Sequence, residues 1–274
     1  MSPEVGVRSG QENLNGTGRE AASPTLHAGD HRAKNSHLFT PISAVSVLPS
    51  RHWYVRCKRG VEFFLALVLC VPATPLILLA ALLVKLTSRG PAIYTQTRLG
   101  LNSKPFILYK IRTMFHNCEQ MSGVRWSTPN DPRITWVGRF LRRTHLDELP
   151  QLWNVLRGDM SLVGPRPERP EFTPALEKAI PGYRERLRVR PGVTGLAQVQ
   201  LPSDTDLASV CMKLSYDLYY IRHLSLWLDL RLLLCTVVHI FGVPYHVVGR
   251  WFVMPTRAAV EHSLLTPVAE GAPG

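Results

Sequence analysis

The stretch FFLALVLCVPATPLILLAALLV, residues 63–84, carries no charge and holds two prolines, Pro72 and Pro75, near its middle. About 20 apolar residues reach across the hydrocarbon of a bilayer, so length alone permits a crossing. The flanks argue the other way. Arg51, Arg56, Lys58 and Arg59 precede the run, and Lys85, Arg89 and Arg98 follow it. A single crossing normally keeps its positive charge on the cytoplasmic side, whereas this segment is basic at both ends. Each proline also lacks an amide donor and disfavours helix in the residue before it. The segment therefore reads as a helix that enters a membrane, bends at the prolines and returns to the same face. A tilted spanning helix with a tolerated kink is the alternative.

The rest of the chain fits membrane contact. Its 274 residues are 45% hydrophobic and 19% charged, with a formal net charge of +12. That balance excludes a wholly disordered protein and points to an anionic partner: nucleic acid, lipid headgroups or phosphorylated substrates. Five cysteines, Cys57, Cys70, Cys118, Cys211 and Cys235, show no recurrent spacing. They form neither a disulfide framework nor a zinc motif, which suits a reducing compartment. Residues 1–50 read as a polar leader expected to lack fixed structure and any signal peptide.

Beyond the apolar run, which a Thr-Ser-Arg-Gly-Pro turn at 87–91 ends, two strand-like segments at 93–98 and 106–112 suggest a hairpin. Alternation puts Gln96 and Arg98 on one face, and likewise Lys110 and Arg112. Such a face suits a phosphate, although a solvated strand face reads equally well. A helical region follows over about 134–156. A further apolar stretch, 224–248, is interrupted by Asp229, Arg231 and Pro244; it reads either as an interfacial helix with Trp227 and Trp251 at headgroup level or as a core helix.

The densest chemistry lies in LRRTHLDELPQLWNVL, residues 141–156. With Asp147 as N-cap, Pro150 falls in the first helical turn, where no amide is needed. Asp147 and Glu148 would then sit at the positive end of a helix dipole, which lowers a carboxylate's pKa and attracts phosphate. Capping alone also explains an isolated Asp-Glu pair. Its surroundings raise the functional reading: Arg142 and Arg143 upstream, Arg166 held between Pro165 and Pro167, and Arg190 before Pro191-Gly192. A guanidinium on a restricted loop is a good bidentate phosphate ligand.

Taken in order, Lys58-Arg59, the proline-broken run, Gln96-x-Arg98-x-Gly100, Lys110-x-Arg112-Thr113-Met114, Leu146-Asp147-Glu148-Leu149-Pro150-Gln151, Gly164-Pro165-Arg166-Pro167 and Arg190-Pro191-Gly192-Val193-Thr194-Gly195 resemble the bacterial sugar transferases, the monotopic phosphoglycosyl transferases, over about residues 52–245. The resemblance implies transfer of a sugar 1-phosphate from a UDP-sugar to a polyprenyl phosphate such as undecaprenyl phosphate, releasing UMP and initiating a polysaccharide or glycoconjugate. It implies Asp147 as nucleophile forming a phosphosugar-enzyme intermediate, and Glu148 as a ligand of Mg²⁺. Arg142, Arg166 and Arg190 would bind phosphate or nucleotide, with Lys110 and Arg112 beside them. It places the chain at the cytoplasmic face of a bacterial inner membrane.

The expected fold is mainly α with a small β-sheet (α+β): a leader at 1–50, a re-entrant region at 51–90 broken at Thr74-Pro75, a catalytic domain at 91–248 with an interfacial helix, and a tail at 249–274. Departures from the family pattern are Glu62 where an Asp is frequent, Thr74-Pro75 in place of Ser-Pro, and Leu196-Ala197-Gln198-Val199-Gln200-Leu201 in a loop that shapes the sugar or nucleotide pocket. Thr74 keeps a hydroxyl able to bond an upstream carbonyl. A non-enzymatic basic scaffold is a competing class, opposed by the intact dyad and Arg166. Nucleic acid is not expected as a partner, since the basic residues form no stripe interleaved with aromatics.

Overall fold

The computed structural model describes residues 52–119, 123, 128, 130–202 and 206–265; the leader at 1–50 and residues 266–274 of the tail lie outside them. The apolar run forms the middle of one helix, α1 (His52–Thr87). Helical pairing continues through both prolines, which leave the carbonyls of Val68 and Val71 without their usual amide donors. Thr74 Oγ1 donates to Cys70 O at 2.7 Å, as its place before Pro75 suggested. Among the described residues α1 is the one helix long and apolar enough to cross a membrane. Only 17% of its most apolar stretch is buried, so it is no ordinary core helix.

One stripe of α1 does face protein. Glu62, Ala66, Ala73, Ala80 and Val84 are buried. Spacings of four and seven keep them on a single helix face, and the three alanines allow close approach. Phe64, Val68, Val71 and Leu78 on the remaining surface are exposed.

Both ends of α1 are fastened to the same body. Near its start, Ser161 Oγ donates to Glu62 Oε2 at 2.5 Å, while the amides of Leu162 and Val163 reach Glu62 Oε1 at 3.1 and 3.3 Å. Lys58 lies between Glu62, at 2.9 Å, and Asp229. Tyr54 and Tyr220 each donate a hydroxyl to Asp229 at 2.7 Å. Near its end, Ala80 and Val84 pack with Ala92, Ile111, Val137 and Leu141.

The expected hairpin is present as antiparallel β1 (Ile93–Leu99) and β2 (Pro105–Ile111), with Tyr94 opposite Lys110 and Arg98 opposite Phe106. The single expected helix over 134–156 is two helices, α2 (Trp136–Arg143) and α3 (Gln151–Arg157). A second sheet, unforeseen, pairs β3 (Ser161–Val163) in parallel with β4 (Gly192–Thr194). Strands this short carry too little alternation to be legible. Between and after them come α4 (Thr173–Ala179), α5 (Leu196–Gln200) and α6 (Leu207–Arg222).

The later apolar stretch resolves into α7 (Leu226–Ile240) and α8 (Tyr245–Trp251). One face of α7 packs in the core. Leu228, Leu232 and Cys235 are buried, whereas Trp227, Leu230, Leu234, Val237 and Phe241 are exposed, as is Trp251 on α8. Asp229, which looked like an interruption, points inward to the α1 anchor. Last, α9 (Arg257–Leu265) lies on α6, with Val260 fully buried.

Glu62→Ala is expected to destabilise the protein by about 3–5 kcal/mol, the usual cost of removing one partner of a buried ion pair. Glu62→Gln, which keeps an acceptor, should lose less. Denaturant titration in detergent micelles checks both; losses below about 0.5 kcal/mol would mean that the anchor does not hold α1.

Candidate active site

The site forms where the chain reverses after α2. Thr135 caps α2, its Oγ1 accepting from Gly138 N at 2.9 Å. A Cβ on Gly138 would stand 1.9 Å from Thr113 O, so only glycine lets α2 press against the end of the hairpin. His145 then adopts left-handed backbone, φ 55°, and Leu146–Glu148 form a single 3₁₀ turn before α3. The expectation that Asp147 caps a helix is therefore corrected. Pro150 occupies the cap position of α3 and both carboxylates lie upstream of it.

Consequently burial, rather than a helix dipole, dominates at Asp147. Its side chain is almost fully buried, which pushes its pKa up to about 6 against the opposing pull of Lys110 and with a further push from Glu148. Arg142 and Arg166 also pull it down. Glu148 is the opposite case. Burial favours its neutral form, but Arg166 and Lys110 outweigh that and hold it well below the usual carboxylate range. Both donors meet Glu148 Oε1 at 3.0 Å, Lys110 through Nζ and Arg166 through one terminal nitrogen. Two adjacent acids are thereby driven apart, Glu148 toward its ionised form and Asp147 toward its neutral form.

The supporting shell includes residues that the sequence did not single out. Asn154 on α3 is fully buried; its amide donates to Ile107 O at 2.7 Å and its oxygen accepts from Tyr109 N at 3.2 Å. This clamp fixes β2 beside the dyad and so aims Lys110. Arg186 donates to Arg166 O at 2.9 Å, and pairs with Asp217 at 2.8 Å. Arg98 donates to Pro167 O at 2.9 Å. The loop carrying Arg166 is thus braced from two sides, beyond what its prolines impose. His145 packs against His239 of α7, ring centres 5.6 Å apart, linking the turn to that helix.

Of the expected site residues, the structure gathers Asp147, Glu148, Lys110, Arg142 and Arg166. Arg142 Nε bonds Thr113 Oγ1 at 2.9 Å. Arg112 is placed elsewhere. Its guanidinium donates to Ser88 Oγ and to the carbonyls of Ser88 and Arg89, just beyond the end of α1. Arg190 also lies apart, donating to Gly158 O at 2.9 Å.

The bacterial sugar transferase family model matches residues 53–243, which contain every one of these elements. The chain belongs to the bacterial sugar transferase family. It is 43% identical over 70% of its length to the UDP-N-acetylgalactosamine-undecaprenyl-phosphate N-acetylgalactosaminephosphotransferase of Aeromonas hydrophila, covering 45% of that protein. It is 39% identical over 78% of its length to the undecaprenyl-phosphate glucose phosphotransferase of Komagataeibacter xylinus, covering 42% of it. To the exopolysaccharide production protein PSS of Rhizobium leguminosarum bv. phaseoli it is 43% identical over 66% of its length, covering 93% of that relative. The chain thus spans less than half the length of the first two relatives.

Whether this family member's residues suit Mg²⁺ can be judged from the donor set. Among the described residues no group of three or more His, Cys, Asp or Glu converges. Asp147 and Glu148 are adjacent carboxylates, and both bonds to Glu148 fall on Oε1, leaving Oε2 to a ligand. Mg²⁺ is commonly held by one or two carboxylates together with substrate phosphates and water, and this pair fits that pattern.

The split between the two acids predicts distinct titrations. A diazo reagent that esterifies protonated carboxyls, read by mass spectrometry, should label Asp147 with a midpoint near pH 6 and leave Glu148 unlabelled over the same range. Lys110→Met should move the Asp147 midpoint upward, because it removes the largest opposing charge.

Proposed function

We propose that the protein is a phosphoglycosyl transferase that moves a sugar 1-phosphate from a UDP-sugar to a polyprenyl phosphate of the undecaprenyl type. The observation that carries this reading is a buried carboxylate, Asp147, ringed by Lys110, Arg142 and Arg166 beside an ionised Glu148. Relatives named for transfer of sugar phosphates to undecaprenyl phosphate support it.

In the first step an Asp147 oxygen attacks the β-phosphorus of the donor. A new O–P bond forms, the bridging P–O bond breaks, and UMP leaves with the bond's electrons. In the second step a phosphate oxygen of the lipid attacks the same phosphorus and the Asp147 carboxylate departs. Neither step requires a net proton. A covalent intermediate divides one displacement between two anions into two. Arg166 and Arg142 offset the approach of a carboxylate to a diphosphate, and Lys110 keeps Glu148 in place. Mg²⁺ held by Glu148 and Asp147 together with the donor's phosphates would supply further charge neutralisation on the leaving UMP.

The location follows from the same reading. α1 enters and leaves one leaflet, the cytoplasmic leaflet of the inner membrane, and exposed apolar side chains of α7 and α8 lie in the interface. Supporting this, both ends of α1 are fastened to one body, and Trp227 and Trp251 are exposed, a residue type enriched at membrane interfaces. A soluble donor and a lipid phosphate then reach Asp147 without extraction of the lipid.

Purified protein with a UDP-sugar and Mg²⁺ should release one equivalent of UMP per enzyme without a lipid acceptor, and turn over continuously once polyprenyl phosphate is added. Asp147→Asn should abolish both, by a factor of at least about 10⁴, and intact-mass analysis should find the phosphosugar adduct in the native chain alone. Normal turnover by Asp147→Asn would remove the proposed nucleophile. For the native enzyme, kcat/KM for the donor should fall as pH drops through about 6, as Asp147 takes up its proton.

A further inference from the structure

A cavity of about 70 Å³ lies between the start of α1 and the segment leading into β4. Its polar lining includes Lys58, Arg59, Glu62, Arg188 and Arg190, with Gly158 between them. None of Asp147, Glu148, Lys110, Arg142 or Arg166 lines it. Its one carboxylate, Glu62, is already engaged by Lys58, Ser161 and two amides. Lys58 is held by Glu62 and Asp229, and Arg188 pairs with Glu185 at 2.7 Å.

Arg59 and Arg190 are left facing each other. Arg190 Nε donates to Gly158 O at 2.9 Å, which leaves its terminal nitrogens for other partners. Gly158 has φ 80°, and a Cβ there would stand 3.3 Å from a terminal nitrogen of Arg59. Two guanidiniums thus approach over one side-chain-free turn, and neither forms an ion pair with a described carboxylate. Burial, and then the Arg59 charge, disfavour the charged form of Arg190. An anion between them would relieve both effects.

We propose that this cavity is a second anion site, which binds one phosphate group between Arg59 and Arg190, separate from the site at Asp147. Forked donors suit phosphate oxygens. A cavity of about 70 Å³ suits a single phosphate group. Arg59 stands shortly before Phe63, where the apolar run begins, so a phospholipid headgroup and free phosphate are both chemically suitable. The headgroup source rests on the membrane reading of α1; the anion site does not.

The test uses the full chain in neutral detergent micelles, with melting temperature followed against inorganic phosphate and against chloride of equal ionic strength. Phosphate should stabilise the native protein, and still do so after Arg142→Gln with Arg166→Gln. Arg59→Gln should weaken that response about tenfold or more, the loss of a charge-assisted hydrogen bond, and Arg190→Gln likewise. Arg59→Lys should retain much of it, and Arg56→Gln, outside the cavity, all of it. If Arg190→Gln fails to fold, Arg59→Gln on the exposed helix surface carries the test. In nanodiscs containing phosphatidylglycerol, disappearance of the phosphate response identifies a headgroup as occupant, and its persistence identifies free phosphate. A native protein indifferent to phosphate, or an Arg59→Gln response equal to the native one, overturns the proposal. UMP release through Asp147 is unaffected by either result.

Discussion

The carboxylate of Glu62 is the constraint on which the remaining geometry depends. It lies on the helix of greatest apolar exposure, yet it accepts from Ser161, Leu162 and Val163 and pairs with Lys58. An ionised group is stable in such a place only when its lone pairs are used. The consequence is positional. β3 is fixed against α1, and the strand leads directly into Gly164-Pro165-Arg166, so the residue that grips Glu148 is tied to the long apolar helix. Asp229 extends the link to α7 through Tyr54, Tyr220 and Lys58.

Around the dyad, the deciding contest is between desolvation and charge. Both acids are withdrawn from water, but the two cations that bond Glu148 do so directly, whereas Asp147 receives only their longer-range attraction. Adjacent residues in one short turn therefore take different roles from environment alone. The arrangement requires Lys110 and Arg166 to stay in place. That explains the effort spent on aiming them, through the Asn154 clamp on β2 and through Arg98 and Arg186 under the Arg166 loop.

Much of this was legible in the residues. Alternation disclosed the hairpin because its strands are long enough to show a period, and the uncharged run marked the long apolar helix α1. The order of the motifs pointed to the family and to the dyad. What stayed hidden shares a cause: it depends on groups distant in sequence. No local signal marks His145 for left-handed backbone, and three-residue strands have no readable pattern. Asp229 looked like a polar break until Tyr54 and Lys58 were placed beside it. Arg112 was misplaced because the segment after α1, distant in sequence, claims its guanidinium. Arg190 shared its loop chemistry with Arg166 but not its neighbours.

The proposed topology has α1 present both ends to the same side of a membrane, with its anchors holding the dyad against one leaflet. Labelling by a membrane-impermeant maleimide measures this most directly, with native Cys57 before the apolar run and Arg89→Cys after it, each probed separately in inverted and right-side-out membrane vesicles. The account predicts that both positions react only where the cytoplasmic face is exposed. Reaction of the two positions from opposite faces would contradict it and make α1 a spanning helix.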